Sequence, residues 1–140
     1  MFIQPYLHFN GRCEEALNFY KQALGAEVTF MMRYDESPDL RSKEMITPGT
    51  EKKIMHANVQ IRDTQIMMSD GRCEGEPPKF DGISMTVNVS PGEAEKIFNA
   101  LGAGGKVQMP LCETFFAEKF GMVDDKFGVS WLLLAAKKQA

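Results

Sequence analysis

The tetrapeptide Ala-Leu-Gly-Ala occurs twice in the chain, at 23–26 and at 100–103, which are 77 positions apart in a sequence of 140 residues. Each copy ends a stretch whose apolar residues recur every three or four positions, the spacing of a helix with one buried face. Glycine closes such a helix because it readily adopts the left-handed conformation. A helix end repeated at this distance predicts that one architecture is built twice.

The flanking residues extend the correspondence between the two halves. In the first half the apolar stripe runs from Cys13 to Leu24. In the second half Ser90, Pro91 and Glu93 form the pattern of a capping box, in which the serine and the glutamate each bond a backbone amide of the other. At the 77-residue offset, three stripe positions coincide: Leu17 with Ala94, Tyr20 with Ile97, and Leu24 with Leu101.

Strand-like runs precede and follow each predicted helix, so the pattern βαβββ occurs twice and predicts an α+β fold. These runs include 2–9, 27–34, 54–61, 65–69, 83–89, 106–109 and 131–136. We expect one domain made of module one, at about 1–70, and module two, at about 81–140. The linker at about 71–80 contains glycines and a Pro-Pro pair, and 35–53 is a long polar loop that either borders a site or is simple surface.

The charge and the cysteine content exclude several classes of function. The net charge is −3, and the lysines and arginines are scattered, which argues against nucleic acid as the main partner. No apolar segment has the length of a membrane span, and the first residues lack the pattern of a signal peptide. Three widely spaced cysteines predict reduced thiols. We therefore expect a cytoplasmic protein that has no membrane partner.

Short sequence motifs then identify a resemblance that covers nearly the whole chain. They are PYL at 5–7, GRCEEA at 11–16, FY at 19–20, LGA at 24–26, HA at 56–57, MMSD at 67–70, ETFF at 113–116 and FGMVDDKFGVSW at 120–131. The chain resembles the vicinal oxygen chelate superfamily, which includes glyoxalases, bleomycin-resistance proteins and extradiol dioxygenases, and within it the PhnB-like branch. The resemblance implies a curled eight-stranded sheet around a cavity, with the helices outside, and a homodimer.

Metal-dependent members of this superfamily hold a divalent ion with His, Gln or Glu side chains from the first and fourth strands of each module. In module one the resemblance places the first ligand position at Pro5, and a shift of two residues gives Leu7 or Phe9. None of these can ligate a metal. At the end of the fourth strand only Asp70 could do so, and one carboxylate does not hold a metal.

The corresponding positions of module two are Ser84, whose hydroxyl is a poor metal ligand, and Leu132, which has no side-chain atom that can bind a metal. We therefore predict no tightly bound metal and no other cofactor, and a divalent metal is disfavoured. The strand-to-helix junctions at 9–12 and 89–92 contain no glycine-rich loop for a nucleotide or for adenosylmethionine. The demethylubiquinone methyltransferase label that similar proteins have carried thus finds no support in these residues.

The two histidines receive different interpretations. His8 is out of register with Pro5, Leu7 and Phe9, so we expect it to face the helix as a structural residue. His56 lies in a run at 54–61 whose polar residues alternate with apolar ones, which predicts one face in a polar cavity. His56 is either a proton carrier in that cavity or a structural histidine, and the unidentified partner leaves both open.

Other residues are candidates for contacting a ligand. In the run at 83–89 the odd-numbered residues should lie under the second helix and the even-numbered ones should face away from it. Three aromatic residues near the carboxyl end could form an apolar wall, or else belong to the core. The predicted ligand-binding residues are Asn58, Ser84, Thr86, Asn88, Phe115, Phe116 and Trp131.

Three functions follow from these predictions, and whether any reaction is catalysed is left open. The first is a small-molecule-binding protein with a metal-free cavity. The second is a metal-independent isomerase or lyase that uses His56 or Asp70 as acid or base. The third, ranked last, is a metal-dependent glyoxalase-like or dioxygenase-like enzyme with displaced ligands. These would come from His8, His56, Asp70 and Glu113.

Overall fold

A computed structural model describes residues 1–39 and 46–137, so part of the predicted loop at 35–53 lies outside the described residues. The chain divides into two compact units, Met1–Pro78 (unit 1) and Lys79–Ala140 (unit 2). Among the residues that the structure describes, each unit has one α-helix and one four-stranded sheet. No helix in the described ranges is long and apolar enough to cross a membrane.

Unit 1 has the order strand, helix, three strands. Its elements are β1 (Tyr6–His8), α1 (Cys13–Leu24), β2 (Glu27–Arg33), β3 (Ile54–Ile61) and β4 (Thr64–Ser69), with a short 3-10 helix at Tyr34–Glu36. The strands lie in the order β1-β4-β3-β2. β1 is parallel to β4, and the other pairs are antiparallel.

Unit 2 repeats this arrangement. Its elements are β5 (Met85–Asn88), α2 (Pro91–Gly102), β6 (Lys106–Cys112), β7 (Ala117–Asp124) and β8 (Ser130–Ala136). The strand order is β5-β8-β7-β6, and β5 is parallel to β8 just as β1 is to β4. The predicted repeat of βαβββ is therefore confirmed in both order and strand direction.

The helices bury the predicted stripes. The buried residues of α1 are Cys13, Ala16, Leu17 and Tyr20, and those of α2 are Ala94, Ile97, Phe98 and Leu101. Gly25 closes α1 with a φ of 67°, and its N–H donates to the Lys21 carbonyl at 3.1 Å. At the start of α2, the Ser90 N–H donates to Glu93 Oε1 at 3.3 Å, which confirms the capping box.

Gly121 in β7 allows α2 to pack closely on its sheet. A Cβ atom at this position would lie 2.7 Å from Cε2 of Phe98 and 3.0 Å from Cδ2 of Leu111. Such distances are shorter than van der Waals contact, so only glycine leaves room for the buried Phe98 ring directly over the strand.

The faces of β1 are the reverse of those predicted. Leu7 and Phe9 are buried, whereas Tyr6 and His8 are exposed on the opposite face. Leu7 pairs with the buried Met68, and the Phe9 ring lies 6.3 Å from that of Tyr20 on α1. The apolar residues thus take the helix side. The prediction that His8 faces the helix is wrong, and Leu7 and Phe9, two of the positions considered for a metal ligand, lie on the core side.

The alternation before and within β5 follows the prediction except at its start. Met85 and Val87 are half-buried, and Thr86 and Asn88 are exposed. Ile83, expected under the helix, precedes the strand and is 57% exposed. The prediction for Ile83 is wrong because the chain joins the sheet only at Met85, where pairing with Trp131 begins.

Candidate functional site

The sheet of unit 1 gathers polar and aromatic side chains on the face opposite its buried row. Strand register aligns Tyr6 with Met67, Met67 with Asn58, and Asn58 with Phe30, so that these four share one face. His8, two residues after Tyr6, and His56, two residues before Asn58, lie on the same face because alternate residues of a strand point to the same side. We call the set Tyr6, His8, Phe30, His56, Asn58 and Met67 the open face of unit 1.

A chain of hydrogen bonds crosses this face through His56. The Tyr6 hydroxyl lies 2.8 Å from Nδ1 of His56, and Nε2 of His56 lies 2.8 Å from Oδ1 of Asn58. Because the amide oxygen of Asn58 can only accept, Nε2 carries the proton. Nδ1 is then the acceptor in the neutral imidazole, and Tyr6 donates to it. Tyr6 and Asn58 therefore hold His56 in one tautomer.

Aromatic contacts flank this chain. The His8 ring stacks on the Tyr6 ring with 4.5 Å between centroids and 6° between planes. The Phe30 ring lies 6.2 Å from that of His56. Tyr6 is 37% exposed and Phe30 46% exposed, so flat side chains reach solvent beside hydrogen-bonding groups. This combination suits a flat organic ligand that carries polar atoms.

The protonation of Tyr6 is set by its surroundings. Partial burial raises the pKa of the Tyr6 hydroxyl above its ordinary value of 10.0, and a hydrogen bond with the Ser69 side chain opposes this rise. Near neutral pH Tyr6 is therefore a neutral hydroxyl, able to donate one hydrogen bond and to accept others.

Asp70, the other predicted acid or base, is 2% exposed at the end of β4. Its Oδ1 accepts the N–H groups of Gly11 and Cys13, and its Oδ2 accepts that of Ile54, each at 2.8 Å. Both oxygens are thus used in holding the turn before α1 against β3. This structural role accounts for Asp70 better than the acid–base role does.

The remaining candidates lie in unit 2. Thr86 and Asn88 are exposed on β5, and Ser84 is exposed just before it. Phe115 is 91% exposed in the turn between β6 and β7, next to the exposed Phe116. These residues are accessible to a ligand, although no bonded array joins them as it joins Tyr6, His56 and Asn58 in the part of the chain that the structure describes.

Trp131 lies in the core of unit 2, which is the alternative to a ligand wall. Its side chain is buried, and its indole N–H donates to Oδ2 of Asp125 at 2.8 Å. Oδ1 of the same carboxylate accepts the backbone N–H groups of Phe127 and Val129. Asp125 and Trp131 therefore fix the turn between β7 and β8.

Unit 2 also contains a cleft of about 510 Å³ between α2 and the β6–β7 pair. Phe98 and Leu111 supply apolar surface, and Glu95, Glu118 and Lys119 are among its charged residues. Charged side chains at a surface are ordinarily solvated and do not by themselves indicate a ligand. The open face of unit 1 is consequently the stronger candidate.

The open face does not fit the metal that the resemblance implies for other superfamily members. His8 and His56 are its two ligand-type side chains, and both nitrogens of His56 are bonded to other side chains. Within residues 1–39 and 46–137, no group of three or more His, Cys, Asp or Glu side chains could hold a metal ion. The donor set is thus too small for a divalent cation.

Sequence reasoning missed Tyr6, which is central to this site. The signal was present in the alternation Tyr6, Leu7, His8, Phe9, where aromatic residues with polar atoms alternate with fully apolar ones. Assigning the apolar pair to the core would have placed Tyr6 and His8 together on the other face.

Comparisons with known proteins agree with this architecture. The family model described as 3-demethylubiquinone-9 3-methyltransferase matches residues 2–134. Protein YjdN of Escherichia coli K12 is 37% identical over 143 residues, which cover 98% of this chain and 97% of YjdN.

Solved structures give the same result. Protein PA1353 from Pseudomonas aeruginosa is 39% identical, with a TM-score of 0.85 and 99% of each chain covered. The PhnB protein from Bacillus cereus is 31% identical, with a TM-score of 0.80, and the match covers 97% of this chain and all of that one. The fosfomycin resistance protein FosX from Mesorhizobium loti is 9% identical with a TM-score of 0.65, over 98% of this chain and 92% of FosX. It therefore shares the fold alone, which is the glyoxalase and bleomycin-resistance type.

Proposed function

From the premise that the chain belongs to the PhnB-like family described as 3-demethylubiquinone-9 3-methyltransferase, we propose that it binds a small, flat organic molecule without a metal. The ligand lies on the open face of unit 1. The observation that carries this proposal is the hydrogen-bonded chain Tyr6–His56–Asn58 beside exposed aromatic rings. Polar groups in fixed orientation next to apolar surface are the usual composition of a small-molecule site.

The composition of the face defines the class of ligand. None of its six residues is a Lys, Arg, Asp or Glu, so an ion pair with a permanently charged side chain does not hold the ligand. The Asn58 amide nitrogen and the ring nitrogens of His8 have no hydrogen-bond partner among the residues that the structure describes, and so they are available to a ligand. A ring with a few oxygen atoms matches these donors and acceptors.

The family description suggests the probe for a direct test, a 3-demethylubiquinone without its isoprenoid tail. Since His8 and His56 are the chain's only histidines, imidazole signals in NMR report on the face directly. We expect both imidazoles to shift in parallel as the probe is added. Asn58→Leu should weaken binding about tenfold, the effect of one lost hydrogen bond and its desolvated partner.

Asn18→Leu is the matched control, because Asn18 is exposed on α1, away from the open face. It should leave the titration unchanged. Binding of the probe without a shift of either histidine, or no binding of the probe at all, would contradict the proposed site.

We propose binding rather than methyl transfer, even though the family description names a methyltransferase. At the turn before α1 the N–H groups of Gly11 and Cys13 already donate to Asp70, and the start of α2 has its capping box. A cofactor's anionic group would need such amides. Incubation with adenosylmethionine and the probe should therefore yield no methylated product by mass spectrometry, and such a product would refute this choice.

The second candidate is a metal-independent isomerase or lyase that uses His56. The observation that favours it is the Tyr6–His56 hydrogen bond, along which a proton can move. Asp70, with both oxygens bonded to backbone, is the weaker of the two predicted groups. For a substrate that is turned over, His56→Gln should abolish turnover while binding persists. Metal analysis and activity before and after a chelator test the metal-dependent alternative.

We further propose that the protein is a cytoplasmic homodimer. The resemblance to the superfamily supports the dimer. The free thiols of Cys13, Cys73 and Cys112 support a reducing compartment. Fractionation of cells that express the tagged chain would test the location.

A further inference from the structure

We infer that the open face of unit 1 selects ligands with an acidic hydroxyl, such as a phenol or an enol, and binds them as anions by passing the proton through Tyr6 to His56. The inference rests on the proposed binding of a small molecule at this face. It adds the chemical class of the ligand and the destination of its proton.

Among the hydrogen-bonded side chains Tyr6, His56 and Asn58, one ring nitrogen of His56 is basic enough to accept a proton. His56 donates through Nε2 to Asn58, so its basic nitrogen is Nδ1, and Nδ1 faces the Tyr6 hydroxyl at 2.8 Å. A ligand in front of Tyr6 therefore reaches the base through Tyr6. A phenol oxygen has two lone pairs, so Tyr6 keeps one for that ligand even beside its hydrogen bond with Ser69, and the residue is 37% exposed.

The transfer needs no other reactant. The ligand hydroxyl donates to the Tyr6 oxygen, its O–H bond breaks, and Tyr6 takes the proton. Tyr6 simultaneously gives its own proton to Nδ1 of His56. The ligand becomes an anion, His56 becomes a cation, and Tyr6 is again a neutral hydroxyl, which now donates to the ligand's negative oxygen. Atoms and charge balance, and a hydrogen bond to an anion is stronger than one to a neutral oxygen.

The groups around the imidazole favour this charge distribution. It is faced by Tyr6 from β1, Phe30 from β2 and Asn58 from its own strand, and His8 stacks on the far side of the array, on Tyr6. None of these is a carboxylate that would repel an anionic ligand. The nearest acid along β4, Asp70, is buried and bonded to three backbone amides. Burial raises the pKa of Tyr6, so the tyrosine passes the proton on instead of ionising itself.

The test compares 4-nitrophenol with 4-nitroanisole, which has the same ring but no acidic proton. The phenolate of 4-nitrophenol absorbs visible light and the neutral phenol does not. At a pH where the free compound is mostly neutral, we expect the protein to turn it yellow. The protein should also bind 4-nitrophenol at least about tenfold more tightly than 4-nitroanisole, the value of a charge-assisted hydrogen bond.

Tyr6→Phe and His56→Gln should each abolish both the colour and the preference for 4-nitrophenol. Tyr34→Phe is the matched control, because it removes a phenol oxygen whose hydrogen bond goes to the Gly71 carbonyl and not to His56. It should keep both. Circular dichroism checks that the variants remain folded.

The outcomes separate this inference from the proposed function. If 4-nitroanisole binds and shifts the histidine signals while 4-nitrophenol binds equally well and stays colourless, the inference is refuted and the binding site stands. Colour that persists in Tyr6→Phe also refutes it. If neither compound binds and neither histidine signal moves, both proposals fail.

Discussion

At the start of α1, one buried carboxylate replaces the side-chain cap that the helix lacks. Arg12, the N-cap residue, makes no capping bond, and Asp70 accepts the N–H groups of Gly11 and Cys13 instead. A third N–H, that of Ile54, completes the coordination of the carboxylate. A single side chain therefore satisfies three backbone donors, two in the turn before α1 and one at the start of β3, which makes the position sensitive to substitution.

We predict that Asp70→Asn lowers the free energy of unfolding by about 2–4 kcal/mol, because an amide nitrogen would face backbone donors and the charge-assisted bonds would be lost. Urea denaturation measures this difference. Asp63→Asn is the control, since Asp63 is exposed, and it should change stability by less than about 0.5 kcal/mol. Equal effects at the two positions would contradict the role given to Asp70.

The Cys13 thiol gives a second prediction, on pH dependence. Burial, and then the Asp70 charge, raise the pKa of Cys13 far above its ordinary value of 9.0. The unfolded chain therefore loses this proton above about pH 9 while the folded chain retains it, so stability falls as pH rises. The slope from this group approaches about 1.4 kcal/mol per pH unit.

Cys13→Ala should reduce that slope between about pH 9 and pH 11, as measured by urea denaturation at several pH values. Cys112→Ala, at an exposed cysteine, should leave the slope as in the parent chain. A slope unchanged in Cys13→Ala would show that the thiol ionises in the folded protein.

Among the elements, the contact of α2 with β7 shows how one missing side chain sets a packing distance. The Phe98 ring occupies the space that a Cβ at Gly121 would need. Helix and strand therefore meet at a separation that larger residues would not allow.

We predict that Gly121→Ala destabilises the protein by about 1–3 kcal/mol, the usual cost of overpacking a buried contact. Adding Phe98→Leu should recover part of this loss, because the two sites are in contact and their effects are not additive. Gly92→Ala on α2 is the control, since its Cβ would meet no atom within 4 Å. Thermal unfolding of Gly121→Ala, Phe98→Leu, the double variant and Gly92→Ala gives the comparison, and additive effects of the first two changes would contradict the proposed clash.

The elements differ in how far the sequence predicts them. The stripes and starts of both helices and the end of α1 were predicted correctly because helix periodicity, the capping box and Gly25 are local signals. The left-handed glycine expected at the end of α2 is absent there, since Gly102 is the last helical residue and an extended Ala103 caps the helix. The faces of β1 were predicted the wrong way round, because a strand of three residues shows too little alternation of polar and apolar residues to indicate which face is buried. Their orientation depends on pairing with Met68 and on packing near Tyr20, both distant in sequence. Because the faces of β1 were reversed, the hydrogen bond between Tyr6 and His56 was not predicted, although the polar face of β3 was.

Across the whole molecule the two units share topology but differ in the chemistry of equivalent positions. Ala57 pairs with Met68 in unit 1, and Gly121 pairs with Leu133 in the same place in unit 2. By this alignment His56 corresponds to Phe120 and Asn58 to Met122. The duplicated architecture therefore carries the hydrogen-bonded pair His56 and Asn58 in one copy and apolar residues at the two equivalent positions of the other.

The proposed homodimer leads to a prediction for the intact protein. Large apolar side chains are strongly exposed in the single chain, among them Phe2, Ile3 and Phe115, and association removes such surface from water. We expect sedimentation at micromolar concentration to give twice the mass of one chain. A single-chain mass at that concentration would contradict the dimer.

The bonds of Asp70 also have a kinetic consequence. They join residues that are 59, 57 and 16 positions apart in sequence, so they form only after the β3–β4 hairpin has come together with the first turn of α1. Contacts of such long range tend to complete late in folding. Loss of this carboxylate should then shorten the lifetime of the native state and leave the refolding rate nearly unchanged.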